Sequence, residues 1–135
     1  MKPDKDIVDS KARDIRNSMA ELIRLTSKKF EEMSVDEFYS MRYQIIVMVE
    51  AIGALCSYIA LEVYGYEPSS IKDCIAYICE RNSIRNIEDM KALVGLRNLL
   101  VHRYWTIENK RVYDSIKENF KCVEELLNVI ATKYG

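Results

Sequence analysis

The sequence predicts an all-α protein, an up-and-down antiparallel helical bundle of about five helices. Three observations lead there. Only four glycines and two prolines occur in 135 residues, whereas Leu, Ile, Met, Glu, Lys and Arg are abundant, a composition suited to helix rather than to turn-rich sheet. Apolar residues recur at three- and four-residue intervals along most of the chain. Ser or Asn, the residues that cap helices, stand in front of three of these runs. A chain of this length is long enough to bury a core of its own, so one domain over residues 1–135 is expected.

Helix one is expected from about Asp4 to Glu32, with Val8, Ala12, Ile15, Met19, Leu22, Phe30 and Met33 on a near-heptad stripe. Ser34 followed by Glu37 is a capping-box pattern, which starts helix two and carries it through an apolar run to about Tyr64. GYEPSS then breaks the chain. Ser70 caps a shorter helix three, with Ile71, Cys74, Ile75, Ile78 and Cys79 on one face, fading at Arg81-Asn82-Ser83. Asn86 is the expected cap of helix four, which bears Met90, Leu93, Val94, Leu96, Leu100 and Val101. After Trp-Thr-Ile-Glu-Asn, helix five repeats Val112, Ile116, Phe120, Val123, Leu127 and Ile130. Short connections between such helices favour antiparallel neighbours.

The apolar stretch YQIIVMVEAIGALCSYIAL, Tyr43 to Leu61, approaches the length of a membrane span. Glu50 at its centre speaks against one, because a mid-bilayer carboxylate is costly, and a helix apolar all round also suits a bundle centre. No membrane association is expected. Helix two is nevertheless more apolar than one bundle's interior needs, so part of it is expected to pair with a second copy in a homodimer. Cys56, Cys74, Cys79 and Cys122 form no CxxC pair, and with one histidine in the chain no metal site is expected. They read as buried, reduced thiols, and the charged N-terminus carries no targeting signal; both point to the cytoplasm. The overall charge of −1 hides a split: residues 81–111 carry a net +4 and the remainder −5, which suits an anionic partner for one region.

That basic region holds GLRNLLVHRYW, with the chain's only histidine and only tryptophan. On a helix of about 100° per residue, Arg97 and Tyr104 lie within roughly 20° of one face, while His102 is turned about 140° from Arg97. Asn98 and His102, four apart, share a side. A site using Arg97 and His102 jointly therefore needs a long Arg side chain curling round, a helix ending near His102, or contributions from two subunits. The chemistry suits phosphate esters: Arg offers a planar fork to phosphate oxygens, and His exchanges protons near neutrality. Spacing alone leaves other readings open. The pair could be surface or packing residues, and Tyr104 and Trp105 could be helix-end packing or platforms for base stacking. Glu50 is a candidate supporting group that would pair with Arg97 or His102, in a functional or a merely structural ion pair.

Arg97-Asn98-Leu99-Leu100-Val101-His102-Arg103-Tyr104 fits the R-x4-H-x-Y motif of HepT-like toxins, a branch of the HEPN superfamily, including the polar Asn after Arg. The apolar second helix, the EPSS break, the short third helix and MKALVGLRNLLVHRYW also resemble that family, so the likeness runs from helix two to the C-terminus. The resemblance implies a HEPN-like homodimer with metal-independent endoribonuclease activity and no cofactor. It would be the toxin of a type II or VII-like prokaryotic toxin–antitoxin pair, beside an MNT-type nucleotidyltransferase antitoxin. It assigns RNA cleavage to Arg97 and His102, with Asn98 supporting them, and makes Tyr104 the residue that the antitoxin modifies with AMP. Arg103 and Trp105 are then expected to contact RNA. The alternative is a non-catalytic helical adaptor that presents substrate to a partner nucleotidyltransferase. The RNA target and cleavage position are not encoded in any motif.

Overall fold

A computed structural model describes residues 2–135. Five α-helices follow one another: α1 (Lys5–Thr26), α2 (Val35–Tyr64), α3 (Ile71–Arg81), α4 (Ile87–His102) and α5 (Asn109–Tyr134). Single 3-10 turns, Phe30–Glu32 and Tyr104–Thr106, lie in the α1–α2 and α4–α5 connections. Among the described residues there is no strand. The all-α bundle expected from composition and periodicity is the observed fold.

The 30-residue α2 is the axis of the molecule and packs on all four other helices. Its Met41, Ile45, Met48, Ile52, Leu55 and Ile59 are fully buried, as are Ile15 and Leu22 of α1 and Ile75 and Ile78 of α3. This helix is long and apolar enough to span a bilayer, with a mean hydropathy of 1.9 over its most apolar window, yet half of that window is buried inside the bundle. Its apolarity is thus used largely for internal packing. Gly53 permits the closest approach: a Cβ there would sit 2.9 Å from Ile71 Cγ1, so α3 can lie tight against α2 only over a residue without a side chain.

Helix ends follow the expected chemistry in most places. Ser34 Oγ accepts from Glu37 N (3.1 Å) while Glu37 Oε1 accepts from Ser34 N (2.9 Å), a complete capping box. Gly65 adopts φ +63°, and Gly65 N and Tyr66 N return to Leu61 and Ala60 carbonyls, closing α2 with a left-handed cap. Ser70 caps α3 through Asp73 N, and α3 ends where Ser83 takes φ +55°.

Two local expectations fail. The first helix stops at Thr26 rather than near Glu32, because Thr26 Oγ1 and Ser27 Oγ donate to the Leu22 and Arg24 carbonyls and divert the backbone. Phe30 remains an inward-facing residue, with its ring 5.1 Å from that of Phe38 and 5.5 Å from that of Tyr113, so burial was legible where helicity was not. Asn86 stands at the N-cap of α4 but its side chain makes no capping bond.

All four cysteines are buried and unbridged. Burial pushes the Cys79 thiol up to about 11 and that of Cys122 to about 12, so both stay protonated at neutral pH. They act as small hydrophobes rather than nucleophiles.

Candidate functional site

The site is built on α4 and the turn after it. The last turn of α4 is closed by Arg103 N donating to Leu99 O (2.7 Å), and the helix therefore ends at His102. His102 and Arg103 are exposed, and Tyr104 and Trp105 begin the 3-10 turn. One of the arrangements expected for a joint site, a helix ending at His102, is present in this chain. Within one chain the two side chains make no direct bond: His102 is exposed at the end of α4, whereas Arg97 is mostly covered and turned toward Glu50 on α2.

Arg97 is set by its neighbours. Its Nη2 donates to Glu50 Oε1 at 2.8 Å and its Nη1 to Asn98 Oδ1 at 3.0 Å, while Nε is buried without a partner. The side chain is 19% exposed and Glu50 51% exposed. Glu50 thus pairs with Arg97 from the surface of α2, not from the interior where mid-run placement would have put it. An ion pair this open contributes about 0–1 kcal/mol to stability. An orphaned donor on a charged group costs more, roughly 1–3 kcal/mol, so Nε offsets what the pair contributes.

Two stripes flank this group. On α4, Gly95, Asn98 and His102 recur at helical spacing and are all exposed; on α2, Tyr43, Glu50 and Ala54 do the same. Gly95 has nothing within 4 Å of the position a Cβ would occupy, so its missing side chain relieves no contact inside this chain. Among the described residues no three His, Cys, Asp or Glu side chains gather to hold a metal ion.

Sequence reasoning missed Arg42. It is 6% exposed on α2, and its guanidinium donates to the Tyr104 carbonyl (2.8 Å), to the Ile107 carbonyl and to Asn109 Oδ1 (2.6 Å). The same group lies 4.6 Å from the centre of the Tyr104 ring. Arg42 therefore nails the Tyr104 turn to α2. A lone cation at the start of an apolar helix was the available signal, since a buried guanidinium must find oxygens. Trp105 is 84% exposed and meets Tyr104 edge-on at 4.9 Å.

An all-α bundle that carries R-x4-H at the end of its fourth helix, facing outward, is a HEPN-type domain. The chain belongs to the ribonuclease HepT-like family, whose model matches residues 14–130. Solved structures agree on the fold. A chain of a toxin–antitoxin crystallised with AMP-PNP superposes with a TM-score of 0.82 at 20% identity, covering 95% of this chain and 99% of that one. Chains from two mutants of the toxin–antitoxin MntA-HpeT give TM-scores of 0.80 and 0.79 at 20% and 19% identity, with the same coverage. No curated protein matches the sequence significantly.

Proposed function

We propose that this protein is a metal-independent endoribonuclease, the toxin of a prokaryotic toxin–antitoxin pair, acting on RNA in the cytoplasm. The observation that carries the reading is the match to a ribonuclease family over residues 14–130, with Arg97 held by Glu50 and Asn98 on the helix that ends at the exposed His102. A phosphodiester would take the terminal nitrogens of that fork in place of Glu50 and Asn98.

In the proposed reaction His102 takes the proton from a ribose 2′-hydroxyl. The 2′-oxygen attacks phosphorus, the bond to the 5′-oxygen breaks, and a second imidazole returns a proton to that leaving oxygen. The products are a 2′,3′-cyclic phosphate and a 5′-hydroxyl. Arg97 stabilises the extra charge on the pentacoordinate phosphorus, Asn98 and Glu50 hold the guanidinium in place, and Arg103 and Trp105 contact flanking RNA. A homodimer joined across the α2 and α4 stripes supplies both imidazoles, and the unfilled space at Gly95 lets two helices approach closely.

The antitoxin in this reading is an MNT-type nucleotidyltransferase, in keeping with the toxin–antitoxin neighbours in fold. It transfers AMP from ATP to Tyr104: the phenolic oxygen attacks the α-phosphate, pyrophosphate leaves, and the phenol loses its proton. The added phosphate repels RNA from the turn that follows His102.

Purified, unmodified protein is expected to cleave RNA in the presence of EDTA and to leave cyclic phosphate ends. Equal cleavage by the His102→Ala variant would overturn the assignment of the proton carrier. Retained RNA without turnover in the wild type would favour the adaptor reading instead.

A further inference from the structure

Beside the end of α4 lies a recess whose interior the proposed proton transfers do not use. Val35, Phe38, Tyr39, Arg42, Tyr104, Trp105 and Asn109 enclose a cavity of about 190 Å³ between the first turns of α2 and the α4–α5 turn. Its walls are mostly aromatic, and Tyr39 and Trp105 keep 49% and 84% of their surface in solvent. Exposed aromatic side chains around one recess are costly to leave wet unless something covers them.

Size and chemistry restrict what does. The space is smaller than ordinary small-molecule sites of about 300–1,000 Å³, and a helix about 10–12 Å across does not enter it. One planar ring system does. The floor is preorganised: Arg42 spends Nε, Nη1 and Nη2 on Asn109 Oδ1 and the Tyr104 and Ile107 carbonyls, fixing both sides of the recess. Arg42 occupies one lone pair of Asn109 Oδ1 and leaves the Nδ2 amide as a donor to a ring nitrogen or carbonyl. Arg103 on the α4–α5 connection and Arg111 in the first turn of α5 are exposed, so a ring carrying phosphates is welcome.

We infer that this recess is a nucleobase subsite, in which a base stacks between Trp105 and Tyr39 and is hydrogen-bonded by Asn109. Two sources share that chemistry: an unpaired base of an RNA substrate, and the adenine of AMP attached at Tyr104. The inference rests on the proposed RNA-directed function for the source of the base, and on the cavity alone for the existence of the subsite.

Trp105 is the only tryptophan, so its fluorescence reports this recess without a label. Unmodified full-length protein titrated with AMP, uridine monophosphate and ribose 5-phosphate is expected to show saturable quenching by the nucleotides and none by the base-free sugar phosphate. Tyr39→Ala should weaken nucleotide binding roughly five- to a hundredfold, the range of one lost stack, and Tyr39→Phe should restore it. Quenching by a short 2′-O-methyl RNA that an abasic residue abolishes assigns the base to RNA. Shielding of Trp105 from acrylamide only after AMP transfer to Tyr104 assigns it to the modification. Equal response to ribose 5-phosphate, absence of saturable quenching in both protein forms, or Tyr39→Ala binding as tightly as wild type overturns the subsite. Because the readout is binding, a failure of the ribonuclease reading appears separately, as absent cleavage with quenching intact.

Discussion

Arg42 and Arg97 both lie partly or wholly within the bundle, yet the chain treats the two guanidiniums in opposite ways. Arg42 is 6% exposed and gives its nitrogens to two backbone carbonyls and an amide, with an aromatic ring against its face. Arg97 is paired with a half-exposed carboxylate and a neighbouring Asn, and one of its buried donors is unmatched. The same side chain is a structural bolt where its donors are saturated, and is the proposed phosphate clamp where they are not. Saturation, rather than burial or charge, separates them.

The contrast is tested first by activity. Arg97→Ala and His102→Ala should each lower RNA cleavage by about 10²–10⁴-fold, the usual size of an oxyanion-stabilising or proton-transfer contribution, while the melting temperature stays close to wild type. Loss of activity accompanied by unfolding would place Arg97 with Arg42 as a structural residue.

Next in size is stability. Arg42→Met keeps the stem but strands two carbonyls and an amide, and urea unfolding should show a loss of about 3 kcal/mol; Arg97→Ala should cost under about 1 kcal/mol. Comparable losses for the two variants would erase the distinction.

The two helix glycines extend the comparison from packed to open ground. Gly53→Val forces a side chain into Ile71 and should destabilise by about 2 kcal/mol. Gly95→Ala meets nothing within the chain and should stabilise the isolated subunit by up to about 1 kcal/mol through helix propensity. Sedimentation of a Gly95→Trp variant as a monomer, where wild type is a dimer, would show that the open space is filled by a second copy.

The smallest effect near neutrality comes from buried acids far from both arginines. Burial raises Cys79 to about 11 and Cys122 to about 12 from an ordinary 9.0, and Tyr134 to about 12 from 10.0. Above about pH 9 the unfolded chain loses these protons before the folded one does, which favours unfolding. Their contribution to stability should be full below pH 9 and fall away as the pH climbs through 11 to 12, as followed by circular dichroism.

Much of this molecule was legible in its sequence. Apolar periodicity located all five helices, the Ser34/Glu37 box and Ser70 fixed two starts, and GYEPSS fixed a stop, because each depends on neighbours within a turn. Phe30 shows the limit: its spacing announced burial, but Thr26 and Ser27 hydroxyls turned the backbone before it. At the site, the R-x4-H-x-Y spelling and the family resemblance were readable from residues 97–104, as was the chance that Glu50 would meet Arg97. Arg42, Tyr39 and Asn109 were not: Arg42 stands 62 residues from Tyr104 and 67 from Asn109, and Tyr39 lies just as far along the chain from Trp105.

By itself the sequence determined the helices, their inward faces and the chemical types on offer in Arg97, Asn98, His102 and Tyr104. Only the tertiary structure decided which guanidinium is saturated, that α4 stops at His102 and that Tyr39 and Trp105 line one recess. Those outcomes depend on which oxygens and rings the packing of α2 against α4 and α5 brings within bonding distance, and no local pattern encodes that proximity.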